Sequence, residues 1–173
     1  MKFHEMTWPE LRKVDRNRTL VLAPIAACEQ HSRHLPTYTD SILCGAVADG
    51  VESRLREHVL QLPLLWLGAS DHHLPFGATL TASLDTHITM LCEILTPLLD
   101  DGYPRVMILN GHGGNIDPLH VALRAHKSLF AERPQLVALL QAGLASGGAG
   151  GHRGHERLLL AVQQQTEPRG VGV

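Results

Sequence analysis

The sequence predicts an α/β fold: a mostly parallel central sheet flanked by helices in three layers. Three observations carry this. Short apolar runs of strand length alternate with longer stretches of helical periodicity. Those runs are continuous rather than alternating, as expected of strands covered on both faces. The 173 residues, 44 % of them hydrophobic, suffice for one domain with a sizeable core.

Residues 7–13 read as a helix start. Thr7 is placed to cap it, Pro9 suits the first turn, and Glu10 completes a capping box with Thr7. Thr19 to Ile25 is the first buried strand, which Pro24 should close. A polar loop follows from Ala27 to about Thr39. From Asp40 to about His58 the apolar positions Ile42, Leu43, Ala46, Val47, Val51 and Leu55 recur at steps of three and four, so this is a helix. Val59 to Leu67 reads as a second strand, and Gly68 to Gly77 as a loop. Leu84 to Leu99 is a second long helix, ended by Asp100-Asp101-Gly102. Val106 to Asn110 is the clearest strand and runs directly into Gly111-His112-Gly113-Gly114-Asn115. A helix from about Pro118 to Phe130 and a strand over Gln135 to Gln141 complete the alternation.

Charge excludes one class of partner. Lys+Arg is 15 against Asp+Glu 17, a net charge of −2, which leaves no electrostatic footprint for a nucleic-acid backbone. No apolar run reaches the roughly 18 residues of a membrane helix. Met1 to Met6 lacks the apolar core of a secretory signal. The 3 cysteines, Cys28, Cys44 and Cys92, form no CxxC pair and no disulfide framework. A cytoplasmic protein is expected, with free thiols.

The 12 histidines are the compositional surplus. In parallel sheets, sites lie where loops leave the carboxyl ends of the strands. The loops after Ile25, Leu67 and Leu109 leave from that edge, and they hold His31, His34, His72, His73 and His112. In the first loop, Glu29 and His31 are two residues apart, so an extended chain aims both the same way. Asp40 returns after a turn through Leu35-Pro36. Mixed carboxylate and imidazole donors suit a borderline divalent cation, and one carboxylate can bridge two of them. A solvated loop in which Asp40 merely caps the helix is equally open. The glycines around His112 allow a tight turn and close approach of a ligand, but they lack the order of a dinucleotide or phosphate loop. His112 reads as a ligand or proton carrier, and Asn115 as a group orienting a ligand or donating to a substrate carbonyl. His58, His87, His120 and His126 read as surface or packing residues.

These segments resemble the creatininase (creatinine amidohydrolase) family. The resemblance rests on Glu29-Gln30-His31, His34-Leu35-Pro36, Thr39-Asp40 and Asn110-Gly111-His112-Gly113-Gly114-Asn115. Thr7-Trp8-Pro9-Glu10, Gly68 to His73 and Gly77-Ala78-Thr79-Leu80 are also similar to its recurrent segments. It implies a creatininase-like fold over a single domain, 1–173. It also implies hydrolysis of a non-peptide C–N bond in a small cyclic or linear amide by a metal-activated water. Two divalent ions (Zn, Mn or Fe) are implied. Glu29, Asp40 and His112 would hold one, and His31 and Asp40 the other. A homo-oligomer, commonly a hexamer, is implied as well. His152 and Asn115 would then be the acid/base or orienting groups, and Arg33, His72 and His73 would meet substrate.

The chain departs from the family pattern in four places. Ser32-Arg33 replaces the usual Gly-Pro: Arg33 either brings a cation beside the proposed ions that suits an anionic substrate group or faces solvent, and both readings are open. Gly114 stands where creatininase itself has a glutamate. In the late segment His152 and Gly154 align, but Arg157 occupies the place of the family glutamate. Glu156 is one residue off, about 100° away on a helix. Residues 145–173 read as an atypical or shortened end. Two alternatives stay open: a non-catalytic metal-binding homologue, and a peptidase-like enzyme of peptide-derived cofactor maturation.

Overall fold

The computed structural model describes residues 1–125 and 136–141. Four strands, β1 (Leu20–Ile25), β2 (Val59–Gln61), β3 (Arg105–Asn110) and β4 (Leu136–Gln141), form one sheet in the order β2-β1-β3-β4. Every neighbouring pair is parallel, with Val21 opposite Val106 and Ile25 opposite Asn110 at the centre. The helices are α1 (Trp8–Arg12), α2 (Thr39–Arg54), α3 (Leu84–Asp100) and α4 (Ile116–Ala125). The expected alternation is therefore present.

The sheet has a core on each face. Leu22, Ala26, Val59 and Leu109 pack with Cys44 and Ala48 of α2. Val21, Ala23, Val106 and Ile108 pack on the opposite face with Leu91 and Leu95 of α3 and Leu119 of α4. Helix, sheet and helices thus make three layers. The first crossover leaves β1 for β2, and the second returns past β1 to β3. The chain's winding reverses between β1 and β3, which makes their carboxyl ends the switch point where such sheets hold ligands.

Local signals explain several boundaries. The Thr7 amide donates to Glu10 Oε2 at 2.7 Å, and a capping box opens α1 as expected. Ser83 accepts from the Thr86 amide and caps α3. The Leu136–Gln141 strand agrees with expectation. Of the helix expected to Phe130, the described residues show the part to Ala125.

Two expectations fail at one place. Pro24 does not close its strand but lies within it, opposite Leu109. The second strand does not run to Leu67 but ends at Gln61. Both have one cause. Even-numbered residues of β1 face β2: Leu22 accepts from the Leu62 amide and Pro24 from the Leu65 amide. An even register would bring the Leu64 amide to Pro24, so one extra residue is inserted, as in a β-bulge. Pro63 sits in that bulge and has no N–H for the ladder. The missing N–H of Pro24 falls opposite the same interruption, so both prolines withhold their donors at one place. Pairing resumes at Leu65, opposite Ile25. The stretch read as a plain loop contains a 3-10 turn, Asp71–Phe76.

Candidate metal centre

Four of the expected ligands meet at the switch point. Glu29 and His31 lie on the loop after β1, Asp40 in the first turn of α2, and His112 just after β3. Each Asp40 oxygen meets a different imidazole: Oδ1 is 3.0 Å from His31 Nε2, and Oδ2 is 3.0 Å from His112 Nδ1. Each ring is pinned from behind. His31 Nδ1 is 3.1 Å from the Glu29 carbonyl, and His112 Nε2 is 3.0 Å from the Ala69 carbonyl. A carbonyl only accepts, so those nitrogens carry the protons and donate. The opposite nitrogens are left facing the carboxylates, as in histidines oriented for a cation.

Glu29 completes the cluster. It is 5 % exposed, and its Oε1 lies 3.5 Å from His112 Nδ1. Its Oε2 is buried without a hydrogen-bond partner. Ligand-capable atoms of Glu29, His31 and Asp40 lie within 4.8 Å of one another. Two carboxylates, two pre-oriented imidazoles and an orphaned buried oxygen fit a divalent cation better than a capped, solvated loop, in which Glu29 would be wet. Burial pulls the His112 pKa down. The Asp40 hydrogen bond, the Ala69 carbonyl and the Glu29 charge outweigh it and raise the pKa above the ordinary histidine value.

The other expected residues are placed as follows. Asn115 is fully buried. Its Oδ1 accepts from the Ala69 amide, and its Nδ2 donates to the Ala26 carbonyl and to Asn110 Oδ1. The side chain ties together the three loops that carry the site. Arg33 is exposed, beside Ser32, whose φ of 60° is left-handed. His73 Nε2 is 3.5 Å from Glu29 Oε1. The His72 ring stacks on His112, with centroids 6.3 Å apart. His152 and Arg157 lie outside the described residues, as do His126 and the 145–173 end.

Gly114 has a reason that its sequence context does not reveal. A Cβ there would collide with the Ala69 carbonyl and with His112 Nε2. The glycine leaves room for the protein's own hydrogen bond rather than for a ligand. Sequence reasoning missed Ser70, whose buried hydroxyl is 3.3 Å from His112 Nε2, and the side chain of Gln30, 2.6 Å from His73 Nδ1. Gln30 sits inside the Glu-Gln-His motif and Ser70 inside the Gly68 to His73 segment, so each had a usable signal. His87, expected at the surface or in packing, is fully buried within α3. Burial lowers its pKa, and the nearby Leu67 carbonyl, outside hydrogen-bond geometry, opposes this only partly.

A parallel α/β sheet with a carboxylate–histidine cluster at its switch point is the class of protein defined so far. The family model described as creatinine amidohydrolase matches residues 4–167, and the chain belongs to the creatininase family. It is 32 % identical over 159 residues to the mycofactocin precursor peptide peptidase of Mycobacterium ulcerans, covering 86 % of this chain and 56 % of that one. It is 28 % identical over 137 residues to the creatinine amidohydrolase of Pseudomonas putida, covering 69 % and 49 %. A solved structure described as "Creatininase Mn" superposes with a TM-score of 0.69 at 25 % identity, covering 81 % of this chain and 57 % of that one. The chain spans about half the length of the curated relatives it matches. Among the described residues no helix is long and apolar enough to cross a membrane.

Proposed function

We infer that this chain is a metal-dependent amidohydrolase acting on a non-peptide C–N bond of a small cyclic or linear amide. The observation that carries this is the Asp40 carboxylate, whose two oxygens each address a different, backbone-pinned imidazole. Glu29, His31, Asp40 and His112 would hold two divalent cations, zinc, manganese or iron. Bound there, the cations would lower the pKa of a water and polarise the substrate carbonyl. The chain's own residues supply the rest. The Glu29 and Ala69 carbonyls hold the two imidazoles in the tautomers needed. Asn115 is a positioning residue that fixes the three loops. Arg33, on the exposed side, would receive an anionic group of the substrate. His152 would donate the proton to the leaving nitrogen.

A second reading is supported by the mycofactocin precursor peptide peptidase, whose match covers 86 % of this chain: cleavage of a peptide-derived cofactor precursor. One assay separates the two. Zinc- or manganese-loaded chain is offered cyclic and linear small amides alongside short peptides. Turnover of the small amides alone, abolished by Asp40→Ala, supports the first reading, and turnover of peptides alone supports the second. A chain that binds metal but hydrolyses neither is a binding homologue. The exposed apolar residues Ile42, Leu43 and Val47 of α2 and Leu55 just after it support a homo-oligomer, with the family's hexamer as the reference.

A further inference from the structure

We propose that Glu29, His72 and His73 form a further divalent-cation site, joined to the four-residue centre through the Glu29 carboxylate. The proposal rests on the reading of Glu29 as a ligand and gives His72 and His73 a part other than substrate contact.

Ligand-capable atoms of these three residues lie within 4.8 Å of one another. Glu29 therefore belongs to two clusters, the other containing His31 and Asp40. Its Oε1 is 3.5 Å from His112 Nδ1 on one side and 3.5 Å from His73 Nε2 on the other. Both separations are too long for a good hydrogen bond. They match the spacing of two ligands on one tetrahedral ion, about 3.4 Å for bonds of about 2.1 Å. The second oxygen, Oε2, is buried with no partner. A carboxylate that is nearly fully buried and half unsatisfied is stabilised by positive charge close by.

The histidines are carried by the 3-10 turn Asp71–Phe76. With three residues per turn, neighbouring side chains diverge by about 120°, and the two rings tilt across each other with centroids 4.3 Å apart. The turn is fixed at its start. The Ser70 amide donates to Thr81 Oγ1 at 2.8 Å, and Thr81 Oγ1 donates to Asp71 Oδ1 at 2.7 Å. Two imidazoles and one carboxylate, with a fourth position open, form a donor set that zinc accepts.

Gln30 sets the condition for filling this site. Its Oε1 accepts from the exposed Ser32 amide at 2.9 Å, which turns Nε2 towards His73 Nδ1. With Nδ1 accepting, the proton of a neutral His73 lies on Nε2, facing Glu29. Ion uptake at Nε2 requires the Gln30 amide to turn over, so that Oε1 accepts from Nδ1–H. Water then satisfies the exposed Ser32 amide. The turned amide becomes the outer partner that a metal-bound histidine commonly has.

Equilibrium dialysis of the full 173-residue chain against Zn²⁺ tests this. The wild type is compared with His72→Ala/His73→Ala and with His31→Ala/His112→Ala. The proposal expects the first double variant to lose one class of bound zinc, with affinity there falling at least about tenfold. The second should retain that class and lose the other. Wild-type stoichiometry and affinity in His72→Ala/His73→Ala would overturn this site and leave the four-residue centre standing. No zinc on the wild type at all would overturn both. If the alanine pair fails to fold, judged by circular dichroism, His72→Gln/His73→Gln replaces it under the same criteria. Visible absorption of the Co²⁺-loaded chain gives a second readout: an unchanged spectrum in the His72/His73 variants would also overturn the site.

Discussion

At the residue scale, Asp40 and Gly114 set the geometry of the centre. Asp40→Asn keeps the shape and removes the charge that holds two imidazoles in place. Zinc affinity, measured calorimetrically, should fall by more than the roughly 10–100-fold that loss of an outer partner costs. Gly114→Ala should act without replacing any candidate ligand. The added Cβ drives His112 Nε2 off the Ala69 carbonyl, so zinc affinity should drop by roughly 10–100-fold. Stability in urea should fall by about 1–3 kcal/mol. A variant with wild-type zinc affinity would show that the carbonyl does not hold the ring. Acidity should matter in a defined direction. His112 has a raised pKa in the metal-free chain, so a proton competes for the nitrogen a cation needs. Zinc affinity should therefore rise with pH up to the folded-state pKa of His112, with protons released into the buffer. Stability of the metal-free chain runs the other way. The contribution of His112 is complete below the unfolded histidine pKa of about 6.5 and is lost as pH climbs through its folded value.

At the scale of elements, what the sequence shows and hides divides cleanly. β1 and β3 were legible because a strand covered on both faces is apolar through most of its length, β4 because its sequence is a nearly continuous apolar run, and α1 because its capping box is local. The bulge at Pro63 was not. It depends on how β2 and β1 register, and Pro24 looks like a terminator until its neighbour is known. The four candidate ligands were legible from motifs on two loops at one sheet edge, the one after β1 that runs into α2 and the one after β3. The contacts of the Ala69 carbonyl and Ser70 with His112 and the approach of His73 to Glu29 were not, because they exist only once the loop after β2 folds over the other two. Asn115 is the joint of those loops. Asn115→Ala would strand the Ala69 amide and the Ala26 carbonyl in the interior. It should destabilise the chain by roughly 2–6 kcal/mol in urea unfolding, at about 1–3 kcal/mol for each of the two buried groups left unpaired. Cys44 of α2 offers a check on the face opposite α3 and α4. Its thiol donates to the Ile25 and Leu109 carbonyls, and burial pushes its pKa up to about 11. Iodoacetamide at pH 8 should leave Cys44 unmodified in the folded chain and label it in denaturant, as peptide mass spectrometry would show.

At the scale of the whole molecule, the sheet puts the four candidate ligands on one edge and leaves α2 with an apolar outer side. Ile42 is 53 % exposed and Val47 46 % exposed on that side, a poor surface to leave in water. Light scattering should therefore find an assembly larger than one chain. Ile42→Glu/Val47→Glu should reduce the measured mass without changing zinc stoichiometry, because neither residue touches the centre. A monomeric wild type would refute this use of α2.

Gly114 constrains substitution as well. With the Ala69 carbonyl and the His112 ring filling the space a side chain would need, no substitution at 114 is neutral on this background. A glutamate at this place, which the resemblance implies for creatininase itself, would need the space that the Ala69 carbonyl and the His112 ring fill here. The loop after β2 has to move first, or the imidazole has to lose its anchor in the same event. One hydrogen bond thus ties position 114 to the loop after β2, and a side chain at 114 should be accepted only together with a change around Ala69 or His112.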